Sequence, residues 1–90
     1  MSESISEFIY KGMHSQALLF KMKSGDYLKA HRATVDVLII VGQGNLDITA
    51  NEKTNALQQG DFIVLKANTR HAVSAKTDLQ FYLIKLAPHG

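Results

Sequence analysis

The sequence predicts an all-β fold, an antiparallel sandwich or barrel, on three observations. The only proline is Pro88, close to the last residue. No set of apolar residues keeps the helical period for three turns, whereas alternation and short β-rich runs recur. Turn signals such as "KSGD", "GQGN" and "QQGD" separate these runs at regular intervals. We therefore expect one domain over residues 1–90 and no helix longer than about two turns.

Nine strands follow in chain order. Each is a run rich in apolar or β-branched residues that is bounded by turn residues. The predicted bounds are Glu7–Tyr10, Gln16–Lys23, Leu28–Ala33, Val35–Val41, Asn45–Thr49, Thr54–Leu57, Phe62–Lys66, His71–Ala75 and Leu79–Leu86.

Alternation assigns the faces of the second strand. In "LLFKMK", Leu18, Phe20 and Met22 share one face, and Lys21 and Lys23 occupy the other. Because successive side chains of a strand point to opposite sides of its sheet, the even-numbered face should point to the core.

The fourth strand, "VDVLIIV", is apolar on both faces. Val37 and Ile39 share one face, and Leu38 and Ile40 share the other. A strand of this kind is covered on both sides. The interior of a small barrel covers one side, and a 90-residue chain with 46% apolar residues has a thin core of its own. We therefore expect a homodimer that buries roughly 2,000 Å² or more in total.

Composition excludes several classes of function. There is no cysteine, so disulfides, Fe–S clusters and cysteine-zinc sites are excluded. The net charge is +2, but the ten basic residues are scattered, so we expect no nucleic-acid partner. The longest apolar run is Val37–Val41, too short to cross a bilayer. The polar start "MSESISEF" does not resemble a signal peptide, and we expect a cytoplasmic protein with no membrane partner.

Two histidines lie in glycine frames of regular spacing. Residues 25 to 44 read G-x5-H-x-A-x3-V-x6-G, with His31 at the histidine position. Residues 60 to 75 read G-x5-K-x-N-x2-H-x3-A, with His71 at that position. Fifteen residues separate Gly44 from Gly60. Two such frames in register within one all-β chain are more specific than either frame alone.

These spacings resemble the two cupin motifs. The cupin pattern is G-x5-H-x-H-x3-E-x6-G followed, after about fifteen residues or more, by G-x5-P-x-G-x2-H-x3-N. The resemblance covers Gly25 to Ala75 without a gap. It implies an antiparallel jelly-roll barrel, the double-stranded β-helix of cupins. Many cupins are dimers, and many bind a divalent metal inside the barrel.

The metal positions of the cupin pattern are depleted here. Carried over residue by residue, they fall on His31, Ala33, Val37 and His71. Alanine and valine cannot coordinate a metal, whereas a protein-only zinc or iron site needs at least three ligands. The resemblance therefore implies no cofactor, or a weakly bound divalent metal on His31 and His71.

Three other positions bear on the two motifs. Asp36 is one residue from the glutamate position, and in a strand that shift turns a side chain to the opposite face. Lys66 replaces the motif proline, and Asn68 replaces the turn glycine. Asparagine tolerates a positive φ angle, so we expect that turn to form.

The two remaining histidines, His14 and His89, are less favoured as site residues. His14 shares the even parity of the second strand and is a possible third imidazole, although a loop or surface position is the more favoured interpretation. His89 is expected to be a solvated tail residue.

Three functions remain open. The first is a binding module that holds a small, mostly apolar or anionic molecule, with His31 and His71 as polar anchors. The second is a metal-dependent dioxygenase or isomerase with a further ligand, and the third is a structural dimer with a lost site. The sequence leaves open whether there is catalysis. The predicted pocket lining is Phe20, Met22, His31, Ala33, Val37, Ile39, His71 and Val73, with Tyr82 or Phe81 from the last strand.

Overall fold

A computed structural model describes residues 5–86, and within that range the chain is all-β. The nine predicted strands are confirmed, with end shifts of a few residues. The part of the chain that the structure describes holds no helix long and apolar enough to cross a membrane. The strands are β1 (Ile5–Lys11), β2 (Gln16–Met22), β3 (Tyr27–Arg32), β4 (Val37–Gln43), β5 (Asn45–Ala50), β6 (Lys53–Gln58), β7 (Phe62–Leu65), β8 (Arg70–Ala75) and β9 (Leu79–Lys85).

The strands form two antiparallel sheets. The five-stranded sheet has the order β1-β2-β9-β4-β7, and the four-stranded sheet has the order β3-β8-β5-β6. Strands that are neighbours in sequence therefore often lie in different sheets, as in a jelly roll. The arrangement of β2 to β9 confirms the predicted jelly-roll barrel, the double-stranded β-helix. β1 adds an edge strand beside β2.

The core lies between the inner faces of the two sheets. The predicted even face of β2 does point inward, because Met22 is 3% exposed and Leu18 and Phe20 pack against the core. On β4, Val37 and Ile39 are buried, as the odd parity predicts. The four-stranded sheet contributes its own inward set: Leu46, Ile48, Ala50, Val73 and Ala75.

The three glycines that frame the motifs lie where the chain crosses between sheets. Gly25 joins β2 to β3, Gly44 joins β4 to β5, and Gly60 joins β6 to β7; their φ angles are 92°, 87° and 91°. Gly44 is the most constrained, because a Cβ atom there would overlap the carbonyl oxygen of Asp78. These glycines therefore have a structural role, at the crossings that build the barrel.

The segment before β4 departs from the prediction. β4 begins at Val37 rather than at Val35, and residues 33–36 form a bend. His31 and Val37 therefore lie on two separate strands, in different sheets. The bend is held by the turn after β7, because the Asn68 backbone N–H donates to the Ala33 carbonyl at 2.7 Å. These partners are far apart in sequence, so a local pattern does not reveal them.

Candidate functional site

His31 and His71 lie opposite each other on adjacent strands. They are paired in the register of β3 and β8, and their ring centroids are 4.4 Å apart with an angle of 60° between the ring planes. The histidines of the two motif frames are therefore in edge-to-face contact in the folded chain. The two rings differ in environment, because His71 is 2% exposed whereas His31 is exposed to solvent.

Backbone carbonyls determine which nitrogen of each ring carries the proton. The Nδ1 atom of His31 lies 3.2 Å from the carbonyl oxygen of Lys29, and the Nδ1 atom of His71 lies 3.0 Å from that of Thr69. Because a carbonyl oxygen only accepts, both Nδ1 atoms must donate. In the neutral rings both Nε2 atoms then carry a lone pair. The sequence did not reveal these partners, since backbone oxygens carry no residue signature.

The Nε2 atom of His71 is buried and has no hydrogen-bond partner among the described residues. Burial lowers the pKa of His71 below 6.5; the bond to Thr69 opposes that shift, and the neighbouring His31 adds to it. His71 is therefore a neutral imidazole at pH 7, with an unused acceptor inside the protein. A buried acceptor without a partner costs about 1–3 kcal/mol, which a bound hydrogen-bond donor would recover.

Most of the predicted pocket lining belongs to the packed core. Met22, Val37, Ile39 and Val73 are each at most 3% exposed. Phe20 stacks on Phe81, with centroids 4.9 Å apart and nearly parallel rings. This part of the interior is therefore filled by side chains, and of the two histidines it is His31 that is exposed to solvent.

Ala33, at one of the motif's metal positions, lies two residues after His31. It is partly buried and packs against the core, just before the bend that leads into β4.

Tyr82 corrects one prediction. Phe81 is fully buried in the core, and Tyr82, the next residue of β9, lies on the opposite face. Tyr82 pairs with Leu19 and Ile40, whose side chains point away from the core. It is therefore on the outer face of the five-stranded sheet and not beside the histidines.

His14 and Asp36 have surroundings that differ from those of the histidine pair. His14 is exposed in the hairpin between β1 and β2, the favoured interpretation from the sequence. Asp36 accepts a hydrogen bond from the Ala67 backbone at 2.8 Å, and its other oxygen lies 3.8 Å from the Lys66 ammonium. Its carboxylate is thus used to hold the turn after β7. His89 lies outside the described residues.

The turn between β7 and β8 forms as expected despite its unusual sequence. Asn68 adopts a φ angle of 66°, so asparagine does replace the motif glycine in the left-handed region. The turn places Thr69, and with it the carbonyl that holds His71, at the start of β8.

A family comparison identifies the chain. The family model described as "Cupin domain" matches residues 18–85, which is well over half of the chain. The chain belongs to the cupin family. The resemblance inferred from the two motif frames is thereby confirmed.

Solved structures agree on the fold. A cupin superfamily protein from Desulfitobacterium hafniense superposes with a TM-score of 0.91 at 22% identity, covering 96% of this chain and 79% of that one. A cupin 2 conserved barrel domain protein from Leptotrichia buccalis gives 0.88 at 26% identity, covering 93% of this chain and 41% of that one. Salicylate 1,2-dioxygenase from Pseudoaminobacter salicylatoxidans gives 0.85 at 12% identity, covering 91% and 24%. No curated protein matches this chain.

The residues of this cupin do not fit a complete metal site. Ala33 and Val37 stand at two of the four metal positions of the motif and offer no donor atom. Among residues 5–86 no group of three or more histidines, cysteines, aspartates or glutamates is close enough to hold a metal ion. The pair of Nε2 lone pairs offers two donors, which leaves a protein-held zinc or iron set short.

Proposed function

We propose that this cupin is a binding module that recognises a small, mostly apolar molecule through His31 and His71. The observation that carries the proposal is the unpartnered, buried Nε2 atom of His71 beside a second imidazole of the same tautomer. Val73, which lies on the same face of β8 as His71, is apolar and buried and favours an apolar ligand body. The two nitrogens supply the few polar anchors that such sites use.

The tautomers indicate which polar group the ligand presents. Because both Nε2 atoms accept, the matching group is a hydrogen-bond donor such as a hydroxyl or an N–H. An anionic ligand needs at least one imidazolium, and the lowered pKa of His71 disfavours that form at neutral pH. We therefore expect neutral hydroxyl compounds to bind better than carboxylates at pH 7.5, and carboxylates to gain as the pH falls.

Burial indicates how the ligand reaches the site. His31 is exposed and His71 is not, so the ligand enters past His31 and reaches His71 last. Because Val37, Ile39 and Val73 are buried in the packed core, we expect the ligand to place a single polar group beside His71. Three grooves of about 450, 290 and 360 Å³ are present on the part of the chain that the structure describes. Neither histidine lines any of the three.

Phenol, toluene and benzoate provide a direct test. With ¹⁵N-histidine labelling, phenol at pH 7.5 should shift the Nε2 resonances of His31 and His71, because it donates to them. Toluene lacks the donor and benzoate is an acceptor, so both should shift these resonances less. His14 in the same sample is an internal control, since it is exposed in a hairpin.

Two variants make the test specific. His71→Phe removes the acceptor and keeps a ring, and it should abolish the response to phenol. His14→Ala should leave the response unchanged. Equal responses to phenol and toluene, or an unchanged phenol response in His71→Phe, would refute the proposal.

A metal-dependent enzyme is the second candidate. One observation favours it: metal-binding histidines also have one ring nitrogen fixed by a backbone carbonyl or carboxylate, as both rings have here. The incomplete ligand set argues against it, so we rank it below the binding module. Elemental analysis of untagged protein separates the two, because stoichiometric iron, manganese, nickel or zinc would reverse this ranking.

A further inference from the structure

The two arginines of this chain lie directly opposite each other. Arg32 and Arg70 are the only arginines among its ten basic residues. They are partners in the antiparallel register of β3 and β8, one step along both strands from His31 and His71. Partners across a ladder point to the same side of a sheet, and successive residues alternate. The two arginines therefore lie on the outer face of the four-stranded sheet, opposite to the histidines, and any site that they form is separate from the histidine site.

This pairing is unfavourable without a partner of opposite charge. The Cβ atoms of directly opposed residues are about 4.5–5.5 Å apart, and like charges at that spacing destabilise a sheet. Both arginines are exposed, and within residues 5–86 neither forms an ion pair or a side-chain hydrogen bond. The ion pairs of that range join lysines to Asp36 and Asp47 instead. The N–H donors of both guanidinium groups are thus available to a ligand.

We propose that Arg32 and Arg70 together bind the phosphate group of a small soluble molecule. One guanidinium group donates two parallel N–H bonds and is enough for a carboxylate, which has two oxygens. Two guanidinium groups side by side match an anion with more oxygens and about two negative charges, as a phosphate group has. Arginine at both positions favours this forked recognition, because lysine presents only a point charge.

The residues around the arginine pair favour a soluble ligand over a membrane or a nucleic acid. The next outward position of β8 is Ala72, and its neighbours across β5 and β6 are Thr49 and Thr54. None of these is large and apolar, whereas surfaces that bind a membrane combine basic residues with large apolar ones. A nucleic acid presents a series of phosphates to a series of basic residues. Lys29 is the only further lysine or arginine on β3 and β8, so this surface fits a single phosphate.

Arginine-selective ¹⁵N labelling of the full chain tests the proposal, because its two side-chain Nε–H signals both come from the site. Inorganic phosphate at constant ionic strength should shift both signals along one binding curve, with a Kd of about 1 mM. Acetate should bind at least about 10-fold more weakly, because a single guanidinium group satisfies it. Separate curves for the two signals, no response to phosphate, or equal affinities for phosphate and acetate would overturn the proposal.

Two further ligands separate the sources of a phosphate group. Methyl phosphate, a soluble monoester, should shift the two signals as inorganic phosphate does. Vesicles of phosphatidic acid and phosphatidylcholine should not sediment the protein. Sedimentation that Arg32→Gln abolishes would contradict the assignment to a soluble molecule.

Three variants make the test specific. Arg32→Gln should weaken phosphate binding at least about 10-fold, as read from the Arg70 signal. Lys21→Gln is the matched control, because it removes one exposed positive charge from β2 in the other sheet, and it should leave the Kd unchanged. Arg32→Glu should pair with Arg70, so it should lose phosphate binding and melt at a higher temperature than Arg32→Gln at low salt.

Circular dichroism should show the same β spectrum for the parent and all three variants. Equal losses of phosphate affinity in Arg32→Gln and Lys21→Gln would show that net charge, and not the arginine pair, attracts the anion. Equal melting temperatures for Arg32→Glu and Arg32→Gln would show that the two side chains do not face each other. Either result would refute the proposed site.

Discussion

The two sheets have similar inner faces, but their outer faces differ in polarity. On the five-stranded sheet the row Leu19, Tyr82, Ile40, Phe62 is entirely apolar apart from the tyrosine hydroxyl. On the four-stranded sheet a corresponding row runs Tyr27, Ser74, Asp47, Ala56. The inner faces of both sheets are mainly apolar, and the buried polar residue on them is His71, at the start of β8.

This difference shows that a strand can be apolar on one face or on both, and that the two patterns have different explanations. The four-stranded sheet shows the simple alternation of a sheet with one face in water, as on β8, where Val73 is buried and Ser74 is exposed. On β4 the alternation is lost, because its outward residues Leu38 and Ile40 are as apolar as its inward ones. The inward residues are explained by the fold of one chain, and the outward residues are not.

The largest expected effect concerns the place where the two sheets meet around the histidine pair. His31 and His71 belong to the four-stranded sheet, and Val37 belongs to the five-stranded sheet. Ala33→His together with Val37→Glu restores the four ligand types of the cupin pattern. We expect the double variant to bind Zn²⁺ or Mn²⁺ about 1,000-fold more tightly than the parent, a difference of about 4 kcal/mol.

Calorimetry measures that affinity, and the thermal response checks it. Val37 is 1% exposed, so the introduced glutamate costs stability without metal. Metal should therefore raise the melting temperature of the double variant far more than that of the parent. Ala33→Gln with Val37→Gln is the control of similar bulk. Equal metal responses in all three proteins would show that the sheets do not bring these positions together.

The next effect tests whether the inner faces are equivalent. Ile39 lies in the five-stranded sheet and Ile48 in the four-stranded sheet, and both are fully buried. Ile39→Ala and Ile48→Ala should each lower the free energy of unfolding by about 3 kcal/mol, because each leaves a cavity in the shared core. Urea titration measures both. A loss below about 1 kcal/mol for one variant only would mean that the core is confined to the other sheet.

A smaller effect concerns two crossings between the sheets. Gly25→Ala should cost about 1–3 kcal/mol, because alanine disfavours the φ angle of 92° although there is open space around it. Gly44→Ala should cost more than Gly25→Ala, because its Cβ also overlaps the Asp78 carbonyl and the backbone must move. Urea titration compares the two. Equal costs would mean that the turn at Asp78 shifts freely.

The smallest effect is the pH dependence that His71 adds to the four-stranded sheet. Its pKa in the folded protein is lowered by burial, so below pH 6.5 the unfolded chain takes up a proton that the folded protein does not. The contribution of His71 to the free energy of unfolding is therefore fully present above pH 6.5. It decreases as the pH falls toward the pKa of His71 in the folded protein. The parent should lose more stability between pH 7.5 and 5.5 than His71→Gln, as measured by thermal unfolding. Parallel curves would contradict this assignment.

Much of the secondary structure follows from local pattern. The nine strands, the inward face of β2 and the two apolar faces of β4 could be predicted, because side chains alternate along a strand and turn residues end it. The resemblance of the glycine frames to the cupin motifs put His31 and His71 at positions of one shared site, and the two residues are neighbours in the register of β3 and β8. Local pattern also correctly anticipated the positive φ angle of Asn68.

Other features depend on contacts between distant parts of the chain. Phe81 and Tyr82 are both large aromatic residues, so the sequence does not show which of them points inward. The register of β9 with β2 and β4 decides this. The bend at 33–36 depends on hydrogen bonds to the turn at 66–69. The unequal burial of His31 and His71 follows from their places in the sheet, since β3 is its edge strand and β8 is an interior strand.

By itself, therefore, the sequence determined that the chain is an all-β cupin with two histidines in matching frames and a depleted set of metal ligands. Its residue types and short spacings carry that information, because strands, turns and donor atoms are local properties. The tertiary structure decided which imidazole is buried, which nitrogens remain as acceptors and which apolar row faces outward. Those properties depend on backbone partners and sheet registers many residues away, and the burial of one side chain is set by all the strands packed around it.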